Sequence, residues 1–222
     1  WGNPLYDWDR MRADGFGWWI RRVEGAEKLY DVIRIDHFRG FSDYWSVPYG
    51  EKTAKNGRWM KGPGMDLVGV LSNWFNGTSF IAEDLGAPTE DLRKLLSDSG
   101  WPGMKVLGFA FDSKEESDFL PHHYSYNCVC YAGTHDNAPL AQWLEEADDS
   151  DVLFAFDYLG IADKDFNAAA KASALAVAAD KARKRADDFI WGIIRAGQAS
   201  ISDLFIVQMQ DYLGLGKESR MN

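Results

Sequence analysis

Residues 31–36, Asp31-Val32-Ile33-Arg34-Ile35-Asp36, form a short β-branched run that stops on a carboxylate. That composition predicts a strand ending in a charged side chain. Ahead of it, Asp9 to Tyr30 carries Met11, Phe16, Trp18, Trp19, Ile20, Val23 and Leu29 among charged residues. The pattern predicts an amphipathic helix despite Gly15 and Gly17. Behind it, Phe41 to Gly64 combines Gly, Pro and aromatic residues with Lys52, Arg58 and Lys61, and reads as a functional loop rather than a plain connector.

The same grammar recurs downstream. Asp66 to Phe75 predicts a helix, followed by a buried strand, Phe80-Ile81-Ala82, that ends at Glu83-Asp84. Pro88-Thr89-Glu90 opens the next helix, with Thr89 or a neighbour near its cap, Leu92, Leu95 and Leu96 on one face and Gly100 as its stop. Met104 to Phe111 predicts another strand. Tyr126 to Ala132 alternates into Gly133-Thr134-His135-Asp136, and Pro139 to Glu146 is helical by pattern. From Asp163 the chain is Ala-rich with interleaved Lys, Arg and Asp, which favours one or two exposed, solvated helices without chemistry. Leu204 to Met209 is the last apolar run, ending at Gln210-Asp211.

About five strands separated by helical stretches indicate repeated β-α units and a parallel sheet in an α/β protein. A doubly wound nucleotide-binding sheet would carry a Gly-rich fingerprint after a strand, and none is found. A (β/α)8 TIM barrel instead takes its reacting groups from the carboxyl ends of several strands, where Asp36, Glu83, His135 and Asp136 fall in this reading. A full barrel has eight strands and typically about 250 residues. The chain starts at Trp1 and ends at Asn222 without a cap or polar tail, so the expectation is a piece of something longer. Residues 1–222 are read as one partial barrel domain, about strands 4 to 8, with an Ala-rich helical segment around residues 163–197.

Composition narrows the chemistry. A formal charge of −10 argues against nucleic acid, because binding a phosphate backbone relies on clustered Lys and Arg. A neutral ligand fits better. Ten Trp and nine Tyr supply flat faces of the kind that stack on sugar rings, although core packing is their default explanation. Cys128 and Cys130 sit two apart on a predicted strand and are read as reduced core thiols of a cytoplasmic protein. No run of about 20 apolar residues and no basic-then-apolar leader is present, so neither membrane insertion nor export is expected.

Taken singly, each acid has a plain structural reading: Asp36 as a helix cap, Glu83 as a partner of Arg34, Asp136 as an Asx turn. Three strand ends each presenting a carboxylate at one rim change the weighing, since converging acids repel and cost stability without a use. Glycoside chemistry asks for such a set. One carboxylate attacks the anomeric carbon and a second, protonated, serves the departing oxygen, about 5 to 5.5 Å away when configuration is retained. The third would hold ring hydroxyls.

Four motifs then carry a resemblance: Arg34-Ile35-Asp36-His37-Phe38-Arg39-Gly40, Ile81-Ala82-Glu83-Asp84-Leu85-Gly86, Pro102-Gly103-Met104-Lys105-Val106-Leu107 and Gly133-Thr134-His135-Asp136-Asn137. In this order they resemble successive barrel-strand motifs of the 4-alpha-glucanotransferases, glycoside hydrolase family seventy-seven of the alpha-amylase clan. Trp1-Gly2-Asn3-Pro4-Leu5-Tyr6-Asp7-Trp8, Gln210-Asp211-Tyr212-Leu213-Gly214-Leu215-Gly216 and Arg220-Met221-Asn222 are also similar to that family. The resemblance implies Asp36 as nucleophile, Glu83 as acid/base and Asp136 as transition-state stabiliser. It further implies Arg34, His135, His37, Asn137, Trp8 and Tyr6 as substrate-binding residues. For His37 a supporting place behind the reacting groups, and for Trp8 and Tyr6 core packing, stand as near-equal readings.

The implied reaction is double displacement, with the glucosyl unit passed to the 4-hydroxyl of an acceptor glucan. The implied partners are maltooligosaccharides and other alpha-1,4-glucans, with no cofactor and no metal. The loop from Phe41 to Gly64, with Tyr44, Trp45 and Trp59, is the expected acceptor region. A metal-dependent barrel hydrolase using His37, His122, His123 and His135 fits poorly, because adjacent His122 and His123 on a turn are not expected to face one ion and no His-x-His pair ends an early strand. A chain lacking the first strands could instead bind glucan without turnover, or self-associate through open barrel edges.

Overall fold

The structure, a computed structural model, describes residues 2–86, 88–163 and 172–221. The described chain divides into two compact units, Trp1–Met104 and Lys105–Asn222. The first holds α1 (Trp8–Ala13), α2 (Gly17–Glu27), β1 (Val32–Ile35), α3 (Arg39–Ser42), β2 (Asp43–Ser46), β3 (Arg58–Lys61), α4 (Met65–Trp74), β4 (Ser79–Ala82) and α5 (Glu90–Ser99). The division falls within β5 (Gly103–Val106). The second unit continues with β6 (Cys128–Tyr131), α6 (Leu140–Glu146), α7 (Asp149–Tyr158), α8 (Ala172–Arg183), α9 (Ala186–Gln198), β7 (Leu204–Ile206) and α10 (Met209–Tyr212). The mixed α/β class expected from the pattern is what the chain forms.

In the first unit β1 and β4 run parallel, with Val32 beside Ser79 and Ile35 beside Ala82. Ala82 N–H donates to the Pro102 carbonyl, 2.9 Å, at the entry to β5. Helix α4 buries Leu67, Val68 and Leu71 completely, against a core that includes Ile35, Phe38, Phe80 and Leu92. Burying such side chains stabilises by about 1.5–3 kcal/mol each. Helix α5 forms as its sequence dictates. The Thr89 hydroxyl accepts from Leu92 N–H, Glu90 and Asp91 occupy the positively polarised first turn, and Gly100 closes the helix at φ +67°.

Two expectations for this unit are corrected. The stretch from Asp9 to Tyr30 is not one helix but two, because Gly15 and Phe16 take left-handed φ values of 69° and 58°. Phe16 N–H donates back to the Met11 carbonyl, 2.7 Å, which closes α1, and the Asp14 carboxylate accepts from Gly17 N–H as α2 begins. The predicted Phe41–Gly64 loop contains an antiparallel pair, β2 with β3, in which Trp45 faces Trp59. Cross-strand aromatic pairing supplies the stabilisation that a Gly-rich composition concealed.

In the second unit β6 and β7 are parallel, Val129 beside Leu204 and Tyr131 beside Ile206, and the sheet order is β5-β6-β7. All four residues of β6 are buried, the signature of a strand covered on both faces. Cys128 and Cys130 are buried thiols outside any disulfide, as the sequence suggested, and burial pushes the Cys130 thiol up to about 12. Helix α7 was not anticipated.

The Ala-rich region departs from the exposed, solvated helices expected of it; residues 164–171 lie outside the described part. Ala179 and Ala182 of α8 are fully buried, and α9 packs Phe189, Ile190, Ile193 and Ile194 into the core. Arg183 binds the Leu144 and Ala147 carbonyls and the Asp149 carboxylate. Alanine packs closely on one face of α8, at Ala178, Ala179 and Ala182, while Ala174 and Ala176 on the same helix stay exposed as expected. Among the described residues no helix is long and apolar enough to cross a membrane.

Candidate active site

The parallel register of β1 and β4 places Asp36 and Glu83 each one residue beyond the last paired rung, Ile35 with Ala82. Neighbouring strands stand about 4.8 Å apart, so the two backbones enter the site side by side. The pairing continues irregularly past the strands. Glu83 N–H donates to the Ile35 carbonyl, 3.0 Å, and Phe38 N–H donates to the Glu83 carbonyl, 2.9 Å.

The two acids sit in different surroundings. Asp36 has a side chain 74% exposed, and its Oδ1 accepts from Arg34 Nη1 at 2.7 Å. Arg34 lies two residues earlier, on the same face of β1, and its Nε–H is turned toward Met104 Sδ at 3.3 Å. The carboxylate is thereby oriented through one oxygen, leaving Oδ2 toward solvent chemistry. Glu83 is only 9% exposed. Its Oε2 accepts from His37 N–H, 2.7 Å, and its Oε1 from Leu85 N–H, 2.8 Å.

His37 adopts φ 49°, a left-handed conformation uncommon for a residue with a side chain. Strain of this kind persists where its surroundings over-determine it and clusters at functional sites. Here Glu83 Oε2 holds the amide, and the His37 carbonyl accepts from Gly40 N–H at 2.8 Å. Its backbone therefore positions Glu83.

Asp84, the next residue, turns the other way: its Oδ1 accepts from Met104 N–H, 2.8 Å, at the head of β5. A side chain at Gly103 would meet the Asp84 carboxylate at 3.0 Å. Sequence reading quoted both positions but gave neither a role. An acid directly after a strand-end acid, facing a Pro-Gly strand entry, was the available signal.

In the second unit, Asp136 follows β6 on a turn that Asn137 holds. Asn137 Oδ1 accepts from both the backbone N–H and the hydroxyl of Thr134, each 2.8 Å. The amide oxygen of Asn137 thus shapes the turn, and its Nδ2 is the group left to meet a ligand. His135 Nε2 lies 3.4 Å from Asp136 Oδ2, both side chains mostly exposed, and Arg220 Nη2 donates to the Asp136 carbonyl at 2.9 Å.

Behind that turn, Asp211 is 1% exposed and accepts from Leu140 N–H, 2.8 Å, at the start of α6. Burial pushes its carboxyl up, opposed by the Leu140 bond. Asp211 was read only as the end of an apolar run and part of a closing motif.

Tyr6 and Trp8 belong to an aromatic cluster of the first unit. Their ring centroids are 4.9 Å apart, Tyr6 lies 5.5 Å from Trp18 and 5.6 Å from Trp19, and Trp8 meets Phe41 edge-on at 6.1 Å. Tyr6 remains 42% exposed, so packing and a free face coexist there.

A mixed α/β fold with carboxylates at the ends of adjacent parallel strands defines the class of protein. A family model described as 4-alpha-glucanotransferase matches residues 1–222, and the chain belongs to that family. It is 40% identical over 223 residues to a 4-alpha-glucanotransferase of Clostridium butyricum, covering all of this chain and 41% of that relative. It is 43% identical over 222 residues to one of Aquifex aeolicus, again covering 41% of it. Among solved structures, an amylomaltase from Streptococcus agalactiae in complex with acarbose superposes with a TM-score of 0.83 at 34% identity, over 100% of this chain and 41% of that one. The chain thus spans about two fifths of the length of the relatives it matches.

Proposed function

We propose that the chain supplies the carboxyl-terminal part, about strands 4 to 8, of a (β/α)8 catalytic barrel that moves alpha-1,4-glucan segments onto the 4-hydroxyl of an acceptor glucan. In this reading β1, β4, β5, β6 and β7 are the fourth to eighth barrel strands. The observation that carries it is the parallel register that puts Asp36 and Glu83 on the next rung of adjacent strands. A retaining carboxylate pair stands about 5 to 5.5 Å apart, and neighbouring strand ends about 4.8 Å apart at the backbone let two side chains reach that separation.

The chemistry follows from the surroundings of each acid. Asp36, held through Oδ1 by Arg34, attacks the anomeric carbon through Oδ2. The bond to the leaving oxygen breaks as Glu83 delivers a proton to it. Both Glu83 oxygens accept one N–H, and each retains a second lone-pair site where that proton is carried. In the second half the acceptor 4-hydroxyl gives its proton to Glu83 and displaces Asp36. Asp136 and His135 bind hydroxyls of the sugar as it flattens, and His37, Asn137, Trp8 and Tyr6 contribute contacts around it. Maltooligosaccharides are the substrates, and the reaction runs in the cytoplasm without a cofactor.

Transfer outruns hydrolysis only when an acceptor is already bound and oriented. The β2–β3 hairpin is suited to that task. Trp59 is 58% exposed, with the Arg39 guanidinium 4.9 Å from its ring centre, while Trp45 is fastened by its Nε1–H to the Ala54 carbonyl.

Incubating the purified protein with maltotriose, and following glucose and longer maltooligosaccharides by chromatography, tests the reading. The expected result is a ladder that disappears in Asp36→Asn. A folded protein that binds maltotriose and yields no products would replace it with glucan binding without turnover.

A further inference from the structure

The loop between β5 and β6 brings two imidazoles and a carboxylate close together. The rings of His122 and His123 are 4.0 Å apart between centroids and inclined by 61°. One nitrogen from each ring and one carboxylate oxygen of Glu116 all lie within 4.8 Å of one another. Within that set His123 Nε2 is 3.2 Å from Glu116 Oε1.

We propose that Glu116, His122 and His123 form a binding site for a divalent transition-metal ion, Zn2+ in the first place. Two imidazoles and one carboxylate are the ligand types such an ion prefers, and three protein ligands leave its fourth position to water. Ligands about 2.0–2.2 Å from a tetrahedral ion stand roughly 3.3 Å from one another. The Glu116–His123 separation already meets this, and the other separations, all within 4.8 Å, close by small turns of three exposed residues.

A second observation separates this cluster from three polar residues that happen to be close. Both rings are anchored by a hydrogen bond through Nδ1. His123 Nδ1 lies 3.1 Å from the Ser117 carbonyl, which selects the Nδ1–H tautomer and leaves the lone pair on Nε2, the atom beside Glu116. His122 Nδ1 lies 2.8 Å from the Tyr158 hydroxyl at the end of α7. Hydrogen bonds to a carbonyl or hydroxyl behind the ligand are how metal-bound imidazoles are oriented. Pro121 opens the single helical turn that carries both histidines and fixes its backbone. Asp112 and Glu115 line the adjoining surface groove, and the ammonium of Lys114, which also lines it, is drawn to Asp148 at 3.1 Å. The site is independent of the glucan reading, since none of its residues takes part in that chemistry.

Titration of tag-free protein with ZnCl2 in a calorimeter, and with CoCl2 by visible absorbance, tests it. The expected result is one saturable equivalent, with Co2+ giving the intense absorbance of a four-coordinate ion. Binding should be lost in His122→Ala/His123→Ala and weakened about 10- to 100-fold in Tyr158→Phe, which changes no ligand. Absence of saturable uptake, uptake unchanged in the double variant, or indifference to Tyr158→Phe overturns the site as described.

Discussion

His37 N–H donates to Glu83 Oε2 at 2.7 Å, so the residue that follows one strand-end acid holds the side chain of the other. With Leu85 N–H on Oε1, both oxygens face donors. Glu83→Gln must then set an NH2 group against one backbone N–H, leaving a buried donor unpaired, a loss of about 1–3 kcal/mol. Asp36→Asn, in an exposed side chain with one guanidinium contact, should change stability by less than about 1 kcal/mol. Urea unfolding of both variants should separate them, although both should lose transfer.

Asp211 gives a pH prediction. Burial raises its folded-state carboxyl above the unfolded value, so the folded state holds the proton more tightly. The stability this contributes is present at low pH and is lost as pH rises from the unfolded value of about 3.9 through the raised folded one. At neutral pH the ionised group is a burden, and among the described residues its Oδ2 finds no hydrogen-bond partner. Asp211→Asn keeps an acceptor for Leu140 N–H and should raise Tm at pH 7, with the gain shrinking toward pH 4.

Two glycines should respond in opposite directions. A methyl at Gly197 of α9 would lie 2.2 Å from the Phe205 ring on β7, whereas one at Gly25 of α2 meets nothing within 4 Å. Gly197→Ala should destabilise by about 1–3 kcal/mol through overpacking. Gly25→Ala should stabilise by up to about 1 kcal/mol by restricting the unfolded chain. Chemical denaturation checks both.

The hairpin gives a kinetic prediction. Removing the exposed ring in Trp59→Ala should raise the ratio of hydrolysis to transfer severalfold and, by taking away the cross-strand partner of Trp45, cost about 0.2–1 kcal/mol of stability. Trp45→Ala should do the same while also loosening the loop that its indole N–H fastens at Ala54. Glucose and oligosaccharide yields from maltotriose give the ratio directly, and an unchanged ratio removes the hairpin from the acceptor site.

Much of this molecule was legible in its sequence where one physical signal dominated. Thr89 and Gly100 bracket α5 as their chemistry requires, and the β-branched run before Asp36 is the strand it looked like. The hairpin escaped because its pairing rests on contacts between Trp45 and Trp59, fourteen positions apart, which no local pattern records. The buried face of α9 escaped because propensity says that alanine favours a helix and not what the helix touches. For the candidate site, the strand-end acids were readable by type and position. The roles of Asp84, Asp211 and the His37 backbone depend on hydrogen bonds between distant segments.

The two donors that hold Glu83 belong to the main chain at positions 37 and 85. Any residue but proline can supply the amide at 85, whereas the left-handed φ at 37 favours glycine and the few side chains that tolerate it. The orientation of this acid is therefore inherited with the path of the backbone rather than with particular neighbouring side chains. Descendants of this sequence can vary the side chain at 85 while the aim of Glu83 stays the same.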